Sequence, residues 1–146
     1  MTRPEILPIR PWMVHDLAEN LREGDLREVR ATKLSPFEAL LKSVQISIYS
    51  RAALVQGRVA ALWGIAGVPL LSDIGSVWLM TSPQIEKVPF SLLRNARREV
   101  AKMRGFYPRL EGVVCADYPQ ALRFVEALGF QIQDGPEPIL TFLMES

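Results

Sequence analysis

Few residues in this chain are equipped for chemistry, and their spacing limits what they can do together. Cys115 is the single cysteine and His15 the single histidine. A thiol nucleophile needs a base to draw off its proton, and no histidine lies near Cys115 in the sequence. Cys115 sits in an apolar run, Gly112-Val-Val-Cys-Ala116, and reads first as a small buried residue. His15 is followed by Asp16 on an expected helix, where adjacent side chains point apart, so the two do not form a dyad. Glu111 and Asp117 flank the Cys115 strand, and Tyr118 follows with a hydroxyl that can move a proton. Lys87, Arg94, Arg97 and Arg98 are cations suited to an anion, although a solvated helix face explains the three arginines as well. No metal-ligand spacing is present.

The elements that must position these residues follow from periodicity and punctuation. Ile6 to Arg10, interrupted by Pro8, reads as an edge strand, where a proline is tolerated. A helix after Pro11 carries Val14, Leu17, Ala18 and Leu21 on one face. Gly24 and Asp25 punctuate it before a helical stretch from Leu26 to Thr32. Ser35-Pro36-Phe37-Glu38 is a capping box with proline at the first helical position, and Phe37, Leu40, Leu41 and Val44 supply the stripe behind it. Ser47 to Val55 and Arg58 to Ile65 are β-type runs joined by a tight hairpin at Gln56-Gly57, and Ala66 to Asp73 reads as a loop.

Gly75 to Thr81 is apolar on both faces, as a central strand should be. Ser91 to Arg104 is a helix with Leu92, Leu93, Ala96, Val100 and Met103 inward, and Leu110 to Ala116 is the next strand. The helix after it has Asp117 as its expected N-cap, Gln120 completing a capping box, and Gly129 closing it before Phe130. Gln131 to Gln133 and Ile139 to Met144 complete the sheet. The order β-α-α-β-β-β-α-β-α-β-β predicts an α+β domain spanning 1–146. It has a mixed, mostly antiparallel sheet, helices on both faces and one parallel crossover, from the Gly75 strand to the Leu110 strand.

Composition bounds the function classes. With 146 residues and 49% hydrophobic content, the chain can bury a full core. Its 17 basic and 16 acidic residues nearly cancel, which gives no electrostatic case for nucleic acid or an anionic membrane as partner. The apolar runs are too short to span a bilayer and Met-Thr-Arg-Pro-Glu lacks a signal-peptide pattern, so the expectation is a soluble, cytoplasmic protein.

The collinear set of Pro8-Ile9-Arg10-Pro11 with His15-Asp16-Leu17, the Gln56-Gly57 hairpin with Trp63-Gly64, and the strand, helix and Gly-Phe exit around Phe130 resembles the GNAT acyltransferase superfamily. Asp25-Leu-Arg-Glu28, Ser35-Pro36, Val77-Trp-Leu-Met-Thr81 and Arg123-Phe-Val-Glu-Ala-Leu-Gly-Phe130 are similar to the GNAT-like proteins of tailed phages, some of which are internal virion proteins. The resemblance implies a splay between the two central parallel strands that receives acetyl-CoA. Trp78, Leu79 and Met80 would lie along the thioester arm, with Lys87, Phe90 and Arg94 toward the phosphates. The same residues of Val77 to Met80 are also ordinary core residues of a central strand.

The family's glycine-rich phosphate loop corresponds to Pro83-Gln-Ile-Glu-Lys-Val-Pro-Phe-Ser91. This stretch has no glycine, two prolines without amides, and Glu86 of the wrong charge. The tyrosine that usually protonates the leaving thiolate corresponds to Val125, leaving Tyr118 as a replacement acid, Glu111 or Asp117 as amine base and Cys115 as nucleophile. The implied activity is acyl transfer from acyl-CoA to an amine. The alternative is an inactive virion or interaction protein with phage or host protein partners.

Overall fold

The computed structural model of the chain describes residues 3–67, 73–135, 137 and 139–145. In chain order the elements are β1 (Glu5–Leu7), α1 (Pro11–Glu19), α2 (Glu23–Arg30), α3 (Pro36–Ile46), β2 (Ser47–Val55), β3 (Arg58–Gly67) and β4 (Ile74–Thr81). After a 3-10 helix (Pro83–Lys87) come α4 (Pro89–Phe106), β5 (Arg109–Cys115), α5 (Pro119–Ala127), β6 (Gln131–Ile132) and β7 (Ile139–Met144). The strands form one sheet in the order β1-β2-β3-β4-β5-β7-β6. Every pairing is antiparallel except β4 with β5, so the expected mixed α+β sheet with one parallel crossover is what the chain builds.

The local signals act where the sequence places them. Gln56 and Gly57 take φ of 53° and 77°, and Val55 pairs directly with Arg58, the geometry of a two-residue hairpin. Ser35 Oγ accepts from the Glu38 amide at 3.1 Å while Glu38 Oε1 accepts from the Ser35 amide at 3.3 Å, closing the capping box that starts α3. At the end of α5, Gly129 has φ of 99° and the Phe130 amide reaches back to the Val125 carbonyl at 3.1 Å.

Four expectations are corrected. The second helix runs from Glu23 to Arg30 and not from Leu26 to Thr32, so Gly24 and Asp25 lie inside its first turn instead of breaking the chain ahead of it. β1 stops at Leu7 and does not run through Pro8 to Arg10. Ala66 and Gly67 continue β3 where a loop was expected, and 68–72 of that loop lie outside the described residues. Asp117 does not cap α5: Pro119 takes the first helical position, so Tyr118 becomes the N-cap, without a side-chain cap bond. Asp117 pairs instead with Arg27 at 2.8 Å, and Gln120 accepts from Arg22 at 3.3 Å.

The sheet buries both faces. Met13, Leu17, Leu40, Val59 and Leu62 pack between α1, α3 and one face, while Trp63, Ile65, Met103, Leu110, Val125 and Phe142 fill the other under α4 and α5. Leu62 is fully buried in β3. Leu62→Ala should lower stability by about 2–5 kcal/mol, read as a fall in the urea midpoint with an unchanged slope. Among the described residues, no helix is long and apolar enough to cross a membrane.

Candidate functional site at the splay

β4 and β5 pair only over Ile74–Arg109, Gly75–Leu110 and Ser76–Glu111. β4 continues to Thr81 and β5 to Cys115, so beyond Ser76 the two strands part. A cavity of about 430 Å³ opens there, with Val77 to Thr81 on one side and Val113 and Val114 on the other. Along β4 the side chains alternate. Val77 and Leu79 join the core under α4 and α5, while Trp78 and Met80 face α1 and α3, where Trp78 Nε1 donates to Ser47 Oγ at 2.7 Å. Trp78, Leu79 and Met80 therefore line the cavity and serve the core at once.

The mouth of the splay is built by α2. Asp25 accepts from the Thr81 amide at 2.9 Å and also from the Thr81 hydroxyl, and the Arg22 amide donates to the Thr81 carbonyl at 3.0 Å. One turn further, Glu28 accepts from the Cys115 amide at 3.0 Å. Thr81 and Cys115 are the last residues of the two splayed strands, so one helix face holds both ends. Tyr118 is buried beneath: at Gly24 a Cβ would stand 2.2 Å from its ring, so α2 seats there only with glycine.

Charge inside this pocket is expensive. Burial pushes the Asp25 carboxyl up to about 6, against the Thr81 hydrogen bonds and the Arg22 charge that favour its ionised form. Burial, helped by the Asp25 charge, pushes Glu28 up to about 7 against the Cys115 amide. Tyr118 is pushed up to about 12 by burial and by Asp25, so its phenol stays protonated. The Cys115 thiol is raised by burial and by Glu28, which disfavours the thiolate a nucleophile needs.

The structure brings together some of the expected site residues and separates others. Tyr118 lines the cavity, and Cys115 reaches the site through its backbone amide. Glu111 lies opposite Ser76, at the closed end of the splay. Lys87 donates to Gln56 at the hairpin turn at 3.0 Å. Phe90, 84% exposed, and Arg94 lie together on another surface depression with Leu93, Arg97 and Arg98. His15 stacks on Phe37 at 4.5 Å, and Asp16 binds Arg58 and the Val59 amide, so neither faces the splay. Asp25 and Glu28 are site residues that the sequence alone does not single out. Their spacing of three on one helix was the available signal. Among the described residues, no cluster of three His, Cys, Asp or Glu side chains is arranged to hold a metal ion.

The residues at the start of α4 do not fit a diphosphate. Val88 is the N-cap and is itself buried, Pro89 has no amide, and the preceding 3-10 helix buries Ile85. Glu86 adds a carboxylate at the same end, 3.7 Å from Arg22. Val125, where the resemblance expects a tyrosine, lines the cavity with a methyl surface.

A seven-stranded mixed sheet whose single parallel pair splays over a cavity, with helices on both faces, is the GNAT fold. The chain is similar over 99% of its length to 99% of the PaiA N-acetyltransferase of Thermoplasma acidophilum, solved in complex with coenzyme A, at 12% identity and a TM-score of 0.71. It is also similar to the ribosomal-protein-S18-alanine N-acetyltransferase of Escherichia coli, over 97% of this chain and 93% of that one, at 14% identity and a TM-score of 0.67. An aminoglycoside 6'-acetyltransferase type Ii matches over 97% and 96%, at 18% identity and a TM-score of 0.67. No protein-family model matches the chain, and no curated protein does. Likeness at these identities is a likeness of fold.

Proposed function

We propose that this chain is an acetyltransferase-like protein of the phage or prophage type, whose splay takes an amine acceptor with Glu28 as its base. One observation carries the reading: Glu28, near neutrality in its proton affinity, lines an apolar cavity at the open end of the parted strands. An ammonium group must lose a proton before its nitrogen can attack an acyl carbon, and a carboxylate of this affinity accepts that proton near pH 7. Asp25 adds negative charge that draws an ammonium in. The phage-type assignment draws support from Asp25–Glu28, Val77–Thr81 and Arg123–Phe130, segments that share a resemblance in sequence and contribute residues to one cavity.

Acetyl-CoA is the donor that the fold implies. The misfit at the start of α4 predicts that it binds weakly, its phosphates lacking the backbone amides that would hold them. At millimolar acetyl-CoA the melting temperature should rise by a few degrees. No shift at that concentration would sink the reading. It would leave the second one, a catalytically silent protein that acts through phage or host protein contacts, in the cytoplasm or in a virion. Val125 and the proline-bounded loop favour that second reading.

A further inference from the structure

We infer that α2 is a clamp across the splay, and that an extended, amide-bearing ligand reaches the edge of β4 only when Asp25 releases Thr81. The inference rests on the ligand-binding role proposed for the splay, but the clamp itself is a matter of hydrogen bonds within the chain. Backbone groups of successive strand residues point to opposite sides. The Ser82 amide donates to the Ala60 carbonyl of β3 at 2.9 Å, so the Thr81 amide and carbonyl face the other way, into the splay. They belong to the edge that an added strand-like ligand would use. Asp25 takes the amide and the Arg22 amide takes the carbonyl. Glu28 fastens the opposite strand at Cys115, which stops the mouth from widening.

The helix is suited to moving. It is eight residues long, and its buried residues are Gly24, Asp25 and Val29, so little apolar surface anchors it. Its other side-chain cross-links include the Arg27–Asp117 and Arg22–Glu86 ion pairs and the Arg22–Gln120 hydrogen bond, all solvent-exposed on at least one side, a weak kind of tie. Gly24 against the Tyr118 ring gives the clamp a defined closed seat without a side chain to lock it. The strongest tie to β4 is thus a single buried carboxylate.

The test compares amide hydrogen exchange at Thr81 in the full chain, wild type, Asp25→Asn and Asp25→Ala, together with an acetyl-CoA titration of each. Asp25→Asn keeps a side-chain oxygen for the Thr81 amide and should exchange like wild type. Asp25→Ala should speed exchange at Thr81 at least tenfold while Leu62 keeps its protection, and should tighten acetyl-CoA by a similar factor. Thr81→Val, which removes only the hydroxyl bond, provides a milder opening should the alanine variant fold poorly, and should give a smaller change of the same sign. Thr81 exchange that is unchanged in Asp25→Ala and in Thr81→Val overturns the clamp. Faster Thr81 exchange with acetyl-CoA bound by none of the proteins supports the clamp and overturns the acyl-donor reading instead.

Discussion

Raising the pH from 5 to 8 should destabilise this protein, by a few kcal/mol in unfolding free energy, whereas many proteins keep their stability over that range. The groups responsible are Asp25, raised from 3.8 to about 6, and Glu28, raised from 4.5 to about 7. A carboxyl raised by folding binds its proton more tightly in the native state than in the unfolded chain. Its favourable contribution is complete below pH 4 and is lost as pH climbs through 6 and then 7. A tenfold gain in proton affinity on folding corresponds to roughly 1.4 kcal/mol of stability. Because the two acids also repel one another, their separate gains count part of the same energy twice, and about 3 kcal/mol for the pair is a reasonable ceiling.

The neighbours that could oppose this are in place but do not outweigh burial. Arg22 and the Thr81 and Cys115 donors favour the ionised forms, while Arg27 is turned to Asp117. Asp16, paired with Arg58, and Glu99, held by Tyr49, Trp63 and Lys102, are lowered and so lose stability only on the acid side of the window. Urea midpoints at pH 5 and pH 8 check the sign. Glu28→Gln combined with Asp25→Asn should flatten the profile, raising the pH 8 midpoint most. A wild-type midpoint that rises from pH 5 to pH 8 would show that the two carboxyls are ionised without cost.

The fold was legible in the sequence because its signals are local. The Gln56-Gly57 turn, the Ser35–Glu38 capping box and the helix exit at Gly129 each act within a few residues, and each sits where the residues place it. The site was less legible because its residues gain their character at long range. Gly24 followed by Asp25 looks like a break, yet Gly24 is buried since the ring of Tyr118 needs its space, and that partner is remote in sequence. Asp25 became a buried acid only when Thr81 was brought against it. Asp117 looked like a cap until Pro119 moved the helix start by one residue and Arg27 claimed the carboxylate. The misfit of the loop from Pro83 to Ser91, in contrast, could be read from composition, because proline lacks an amide in any fold.

Glu28→Gln should be the most damaging conservative substitution for amine acylation, lowering kcat/KM by roughly 10²- to 10⁴-fold at neutral pH. The change is informative because glutamine keeps an oxygen where Glu28 Oε1 accepts the Cys115 amide, so the tie to β5 survives while the proton acceptor is lost. It also removes a buried charge, so the variant should be at least as stable as wild type at pH 8, and a fall in rate cannot then be assigned to unfolding. The pH profile separates the roles further. Wild-type kcat/KM should rise through pH 7 as Glu28 ionises, then level, and the variant should lose that rise. Asp25→Asn should keep the rise but move it to lower pH, because the Asp25 charge helps to raise Glu28, and should otherwise act mainly on KM, since Asp25 is engaged with Thr81 and contributes attraction for the ammonium. Equal loss from both substitutions, with no change in either profile, would mean that the pair shapes the mouth of the splay without taking the proton. The same assay with the bulk buffer as competing base would then show that solvent supplies the base.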